Sequence, residues 1–283
     1  MKISRQLDGF LFDLDGSLYL GNELLPGASE LLDFLDREEK KIAFITNNSS
    51  MSEVQIADKL LNLGIHAESK QIITPAKFAG EYIKEKYGLC RIFVIGSDFL
   101  KEKIKGSGHE LCFNVDSPCD VVLIGRDLSF DYRKLEDGAL LIQKGARFIT
   151  SNLDGHHPIE NGMNVPETGA LTASLQKVVG IHPEVIGKPS PYLFNKALEI
   201  IDCRADATAI IGDNPETDIL GGKSLGLYTI WLRYSSFWLH HEIEADFICK
   251  SLTELLIQLN QLSQIERSDE YLQNACQGMI EGN

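Results

Sequence analysis

The sequence predicts an α/β protein in which a mostly parallel sheet is covered by helices. Two observations carry that expectation. Short, wholly apolar runs alternate along the chain with segments of helical apolar spacing, the mark of repeated strand–helix units. The apolar runs show no polar alternation, which fits strands buried on both faces. Size agrees: 283 residues, 43% of them hydrophobic and 24% charged, suit a globular enzyme with room for two domains.

The elements follow in order. Gly9-Phe10-Leu11-Phe12 is a buried strand that stops at acid and glycine. From Pro26 to Arg37, Leu31, Leu32 and Leu35 recur at helical spacing, with proline near the start. Ile42–Ile45 reads as the next strand, ending in Thr46-Asn47-Asn48; Ser50 and Glu53 then have capping-box spacing for a helix that stops at Gly64. Further on, helices are expected over Ala76–Lys86, Tyr132–Gln143, Ala170–Val179, Tyr192–Ile200 and Leu252–Leu262. Strands are expected at Arg91–Ile95, Val121–Ile124, Arg147–Thr150, Val185-Ile186, Ala209–Ile211, Tyr228–Leu232 and Phe247-Ile248. Ser151–Pro166 reads as a polar loop, and the chain from Ser263 as a polar tail without a strong pattern.

Composition narrows the function. Lys and Arg number 27 against 41 Asp and Glu, a net charge of −14, so neither nucleic acid nor an anionic membrane is the expected partner. No apolar run approaches the roughly 20 residues of a membrane helix. The N-terminal residues lead into an apolar stretch broken by Asp13 and Asp15, which is not the pattern of a signal peptide. Cys90, Cys112, Cys119, Cys203, Cys249 and Cys276 are scattered without a CxxC pair, as expected for reduced thiols in a cytoplasmic protein. His240-His241 reads as a solvated helix face, and Trp231 and Trp238 as packing residues.

Four apolar runs end in chemistry-bearing residues: Asp13-Leu14-Asp15-Gly16-Ser17, Thr46-Asn47-Asn48, Gly187-Lys188-Pro189, and Gly212-Asp213 followed by Asp218. Each alone has an ordinary explanation as a strand cap, a turn or a helix start. In an open parallel sheet, however, ligands bind at the carboxyl ends of the strands. If the first, second and fourth runs are neighbours, their ends share one crevice, with Lys188 brought in from the start of its helix. Crowded carboxylates repel and call for a cation; hard oxygen donors with few histidines point to Mg2+. A cation, a lysine, a hydroxyl and amides together suit a phosphate. One carboxylate can then act as nucleophile and another as general acid and base. Gly16 permits the sharp turn between them.

In these motifs the chain resembles the haloacid dehalogenase superfamily of phosphohydrolases. Asp13-Leu14-Asp15-Gly16-Ser17 is similar to its first motif, with Ser17 in place of the commoner threonine; Thr46-Asn47, Lys188, and Gly212-Asp213 with Asp218 are similar to the other three. The long strand–helix stretch between Asn47 and Lys188 resembles subclass IIA, the group with an α/β cap that includes NagD, 4-nitrophenylphosphatases, and phosphoglycolate and pyridoxal phosphate phosphatases. The resemblance implies a Rossmann-like, doubly wound core over 1–75 and 184–283, with a large inserted α/β cap over 76–183. It implies a Mg2+-dependent phosphatase that hydrolyses small phosphorylated metabolites through an aspartyl-phosphate.

The implied roles are these. Asp13 is nucleophile and metal ligand. Asp15 is general acid/base, with its carbonyl on the metal. Thr46 and Asn47 hold the phosphoryl oxygens. Lys188 neutralises the phosphoryl group, and Asp213 and Asp218 complete the metal site. Gly16, Asn48, Asn152, Asp154 and His157 are expected at the substrate, the last three from the polar loop that would face the pocket. His157-Pro158 resembles a His-Pro pair in animal pyridoxal phosphate phosphatases, and Asn152-x-Asp154 recurs in the subclass. Related caps mediate dimers, so a homodimer through the cap is implied as well. Two other readings stay open: a phosphate-sensing or phospho-accepting regulatory module without useful turnover, and a mutase-like phosphoryl transferase. The second acid, Asp15, and the large insertion weigh against the regulatory module.

Overall fold

The structure is a computed structural model in which residues 6–158, 163–234 and 243–265 are described. Trp238, His240, His241, Cys276 and the tail beyond residue 265 lie outside the described residues.

The strands run β1 (Gly9–Phe12), β2 (Tyr19–Leu20), β3 (Glu23–Leu24), β4 (Lys41–Ile45), β5 (Ile72–Ile73), β6 (Arg91–Ile95), β7 (Glu110–Cys112) and β8 (Val121–Ile124). They continue with β9 (Arg147–Thr150), β10 (His156–Pro158), β11 (Asn164–Pro166), β12 (Glu184–Val185), β13 (Thr208–Gly212), β14 (Tyr228–Leu232) and β15 (Phe247–Cys249). The helices are α1 (Ala28–Arg37), α2 (Glu53–Asn62), α3 (Pro75–Tyr87), α4 (Asp98–Gly106), α5 (Tyr132–Gln143), α6 (Thr168–Val179), α7 (Pro191–Ile201) and α8 (Leu220–Ser224). A last helix, α9, covers 252–265.

Among the described residues, one six-stranded sheet has the order β15-β14-β13-β1-β4-β5 and a five-stranded sheet has the order β12-β9-β8-β6-β7. All pairings within both are parallel. The expected α/β class is therefore what the chain adopts. In the larger sheet β1 is central, with Phe12 opposite Ile211 on β13 and Phe44 on β4. The first, second and fourth chemistry-bearing runs thus end side by side.

Full burial of β1, β13 and β14 follows from helices on both faces. One face packs Phe10, Phe12, Phe44 and Ile211 against Leu31 and Leu35 of α1, Leu60 of α2 and Leu255 of α9. The opposite face belongs to a core shared by the two sheets, in which Leu11, Ala43 and Ile210 join Ile83, Ile92, Leu123 and Ile149. A third cluster, with Val122, Ile124, Phe148 and Leu175, closes the far face of the second sheet.

The structure corrects two local expectations and adds two features that the sequence did not announce. The capping box at α2 is Ser52 with Gln55, not Ser50 with Glu53. The backbone N–H groups of Ser50 and Met51 donate to Asn48 Oδ1 at 3.0 and 2.9 Å, so a turn there delays the helix. The stretch expected as a loop over Ser151–Pro166 holds the antiparallel hairpin β10–β11. Helix α4, with Leu100 and Ile104 as its buried contacts, shows too sparse an apolar stripe to announce itself. Glu184 and Val185 pair with β9 in the second sheet, so Lys188 approaches the larger sheet from the end of the smaller one.

Candidate active site

The loop after β1 doubles back at once. Gly16 adopts φ +87°, a conformation that L side chains resist, and its N–H donates to the carbonyl of Tyr19 at 2.8 Å. A side chain at Gly16 would also meet Asp213 Oδ2 at 2.6 Å. The turn carries Asp13 and Ser17 inward: Ser17 Oγ donates to Asp13 Oδ2 at 2.8 Å and accepts from the N–H of Asp213 at 3.1 Å. After β13 the chain enters a π-helical turn, Pro215–Ile219. It returns Asp218 beneath Asp213, where Asp218 Oδ2 accepts from the N–H of Asn214 at 3.2 Å. Gly212 leaves room for that return, since a Cβ there would lie 2.2 Å from Asp218 Oδ2. Trp231, 2% exposed, is a packing residue as expected, and it donates from Nε1 to the carbonyl of Asp213 at 3.0 Å.

Lys188 joins the set from the other side. Its Nζ lies 2.6 Å from Asp13 Oδ1 and 2.6 Å from Asp218 Oδ1. Burial works against its ammonium, but the two carboxylates raise its pKa above the ordinary lysine value. Asn47 fixes the backbone that delivers it, accepting from Lys188 N–H at 2.8 Å through Oδ1 and donating to the Lys188 carbonyl at 3.2 Å through Nδ2. Gly187 must be small, for a Cβ would stand 2.5 Å from Asn47 Oδ1.

Asp13, Asp213 and Asp218 each offer a carboxylate oxygen, all within 4.8 Å of one another. One ammonium stands among three acids, and two of the carboxyls are held above the ordinary range. Burial, then Asp13 and Asp218, push the Asp213 carboxyl well above the usual range. Burial pushes Asp218 up to about 7, with Lys188 opposing and Asp13 adding. A small hard cation on three carboxylate oxygens would remove this repulsion, so the donor set fits Mg2+. The Asp15 carboxylate lies outside that group. It accepts from Tyr19 OH at 3.1 Å and faces Lys59 Nζ at 3.9 Å. Burial raises its pKa; Lys59 opposes, Asp13 adds, and Tyr19 and His157 lower it.

The structure brings Asp13, Gly16, Thr46, Asn47, Lys188, Asp213 and Asp218 to one crevice, with Asp15 on its rim. The polar loop sorts less uniformly. Asp154 Oδ1 accepts from Asn47 Nδ2 at 3.3 Å, and Lys188 acts on its charge. Asn152 is fully buried, donating to the Asn47 carbonyl at 2.7 Å and accepting from Asp154 N–H at 3.0 Å. It is thus a strut between the sheets. Asn48 spends its side chain on the turn before α2, and Thr46 Oγ1 accepts from its N–H at 3.1 Å. His157 sits on β10, half-buried, near enough for its charge to act on Asp15.

The sequence reading missed Tyr19 and Lys59 beside Asp15, and the junction in which Ser49 Oγ meets Thr168 Oγ1 at 3.2 Å and accepts from Arg126 N–H at 2.9 Å. Tyr19 lies four residues past Asp15, close enough to have been considered; the junction has no signal in sequence.

Known proteins resemble this chain in sequence and in fold. A family model described as haloacid dehalogenase-like hydrolase matches residues 10–110, and a HAD-hydrolase-like model matches 185–255. The chain is 34% identical over 226 residues to an acid sugar phosphatase of Staphylococcus epidermidis, covering 80% of this chain and 86% of that one. Among solved structures, a double mutant of the thermostable NPPase of Geobacillus stearothermophilus superposes with TM-score 0.80 and 31% identity, covering 88% of this chain and 97% of that one. The 4-nitrophenylphosphatase of Thermotoga maritima does so with TM-score 0.80 and 30% identity, covering 88% and 96%.

Proposed function

This chain belongs to the haloacid dehalogenase-like hydrolases, subclass IIA, and is a phosphatase of that family; on that premise we propose that it hydrolyses small phosphate monoesters with Mg2+, through a phosphoryl group carried on Asp13. The observation that carries the reading is the buried set in which Lys188 bridges Asp13 and Asp218 at 2.6 Å each, with Asp213 alongside.

In this reading Asp13, Asp213, Asp218 and the Asp15 carbonyl are the groups that would hold the metal. When bound, Mg2+ supplies positive charge that draws the phosphoryl oxygens in and polarises phosphorus. The chain's own residues do the rest. Lys188 and the backbone near Thr46 and Asn47 hold the phosphoryl oxygens, and Lys188 and Ser17 keep Asp13 aimed. Asp13 attacks phosphorus as the ester P–O bond breaks, and Asp15 gives its proton to the leaving oxygen. Asp15 then takes a proton from the attacking water. The Asp13–phosphoryl bond breaks, and inorganic phosphate leaves.

The residues over 76–183, completed by β12, act as the cap in this reading, with Asp154 and His157 nearest the substrate. The acid sugar phosphatase relatives make sugar phosphates the first substrates to try. A net charge of −14 supports a small-molecule partner over nucleic acid or membrane, and among the described residues no helix is long and apolar enough to cross a membrane. Free Cys90, Cys112, Cys119, Cys203 and Cys249 suit a cytoplasmic location. A homodimer through the cap belongs to the same reading.

The test is release of 4-nitrophenol and phosphate from 4-nitrophenyl phosphate by the purified protein. Turnover with Mg2+, its loss in EDTA, and its loss in Asp13→Asn are expected. Stable phosphorylation without release would mark a phospho-accepting module instead.

A further inference from the structure

We propose that Tyr19, with Lys59 stacked on its ring, is a positioning residue for Asp15: it pins one carboxylate oxygen so that the other exchanges the proton with the leaving group. The proposal rests on the assignment of Asp15 as general acid and base and deepens it.

The geometry is local and complete. The turn at Gly16 folds the chain so that Tyr19 lies directly beside Asp15, bridged to it backbone to backbone. Tyr19 is 2% exposed, so its ring is held by packing on all sides. Its hydroxyl donates to Asp15 Oδ2 at 3.1 Å. Lys59 comes from α2, the helix that follows Thr46 and Asn47, and its Nζ stands 3.9 Å over the Tyr19 ring and 3.9 Å from Asp15 Oδ1. A cation over a ring face is favourable, so Lys59 secures the ring as well as facing the carboxylate. Burial and the Asp15 charge push the Tyr19 phenol above its ordinary value, so the hydroxyl keeps its hydrogen and remains a donor.

A carboxylate on a two-residue spacing after the nucleophile can rotate about its own bonds, and a general acid is useful only when its proton points at the leaving oxygen. Oδ2 accepts the Tyr19 hydrogen bond, whereas Lys59 Nζ, 3.9 Å from Oδ1, faces it from beyond hydrogen-bond distance, so Oδ1 is the oxygen with room to carry that proton. As the ester P–O bond breaks, the proton passes from Oδ1 to the leaving oxygen. In the second half, Oδ1 takes a proton from the attacking water, and the Tyr19 hydrogen stays where it was.

The role has a specific readout, because a good leaving group needs little proton donation and a poor one needs much. The first irreversible step, reported by kcat/KM, should therefore show the loss selectively. The experiment compares phenyl phosphate with 4-nitrophenyl phosphate, which share a ring and differ in leaving ability, in the wild-type chain, Tyr19→Phe, Lys59→Met and Asp15→Asn, with Mg2+ present. Tyr19→Phe keeps the ring and removes only the hydroxyl. Its kcat/KM ratio, phenyl over 4-nitrophenyl, is expected to fall about tenfold, a fraction of what full loss of a general acid costs. Lys59→Met should lower the ratio in the same direction by less. Asp15→Asn, read from its single-turnover rate of alcohol release at low ester because its phosphorylated form is not hydrolysed, should lower the same ratio at least as far as Tyr19→Phe, and the double variant no further. Equal losses on both esters, or an unchanged ratio, in Tyr19→Phe would overturn the proposal while leaving the acid role of Asp15 intact. An unchanged ratio in Asp15→Asn would overturn both.

Discussion

Lys188 Nζ and Asp13 Oδ1 lie 2.6 Å apart, although 175 residues separate them in the chain. The contact is almost fully withdrawn from water, with Lys188 3% and Asp13 7% exposed. Removing one partner of a buried pair leaves a charge without compensation. Lys188→Met is therefore expected to destabilise the metal-free protein by about 3–5 kcal/mol and to lower kcat by about 100-fold or more. Chemical denaturation in EDTA and steady-state kinetics with Mg2+ check the two effects separately; a fully active variant would dismiss the role given to the ammonium.

The acidic cluster makes a prediction about pH. Asp213 and Asp218 have folded-state pKa values above those of an unfolded carboxyl, Asp218 at about 7. The folded state then holds more protons than the unfolded state between about pH 4 and pH 7, and stability falls as pH rises through that window. In EDTA the thermal midpoint should drop from pH 5 to pH 7.5. Added Mg2+ should raise it, by an amount that grows with pH. Asp213→Asn should flatten both responses. A Mg2+ effect that shrinks toward pH 7.5 would contradict this account.

Gly16 is held by its backbone angle and by its neighbour at once. With φ +87° and the nearest Asp213 oxygen 2.6 Å from where a Cβ would sit, Gly16→Ala must move either the turn or the Asp213 carboxylate. Activity is expected to fall by about 100-fold or more while far-ultraviolet circular dichroism stays unchanged. Wild-type turnover in Gly16→Ala would show that the close approach does not matter.

Asn152 ties the smaller sheet to the loop after β4 through its bond to the Asn47 carbonyl at 2.7 Å. Asn152→Ala leaves that buried carbonyl and the Asp154 N–H without partners, at a cost of about 1–3 kcal/mol each. Its expected signature is a lower thermal midpoint together with a lower kcat. Leu153→Ala, at a side chain 48% exposed, should change stability by less than about 0.5 kcal/mol. Equal effects from the two substitutions would argue against the strut.

Much of this was legible in the sequence, and the reasons are physical. Strands buried on both faces, such as Phe10–Phe12 and Ala209–Ile211, must be continuously apolar, so both the strands and the polar residues ending them stand out. That adjacency could only be assumed from sequence; the pairing of Phe12 with Ile211 and Phe44 supplies it. Helix α4 escaped because two apolar contacts make no clear stripe, and the α2 cap was misplaced because the Asn48 turn competes for the same backbone donors. Asn152 was legible as a residue of interest but not as a strut, since its partner, the Asn47 carbonyl, carries no side-chain signal. Lys59 was invisible for a similar reason: on α2 it looks like any solvated lysine until the fold places it over Tyr19.

The central claim is that Asp13 carries the phosphoryl group, and one trapping measurement tests it most directly. Asp15→Asn should form the phosphorylated enzyme from 4-nitrophenyl phosphate and Mg2+ but fail to hydrolyse it. Acid quenching followed by peptide mass analysis should then find one added phosphoryl group on the peptide containing Asp13, absent when Asp13→Asn is combined with it. A phosphoryl group on any other residue, or 4-nitrophenol release at every turnover with none trapped on Asp13, would contradict the account.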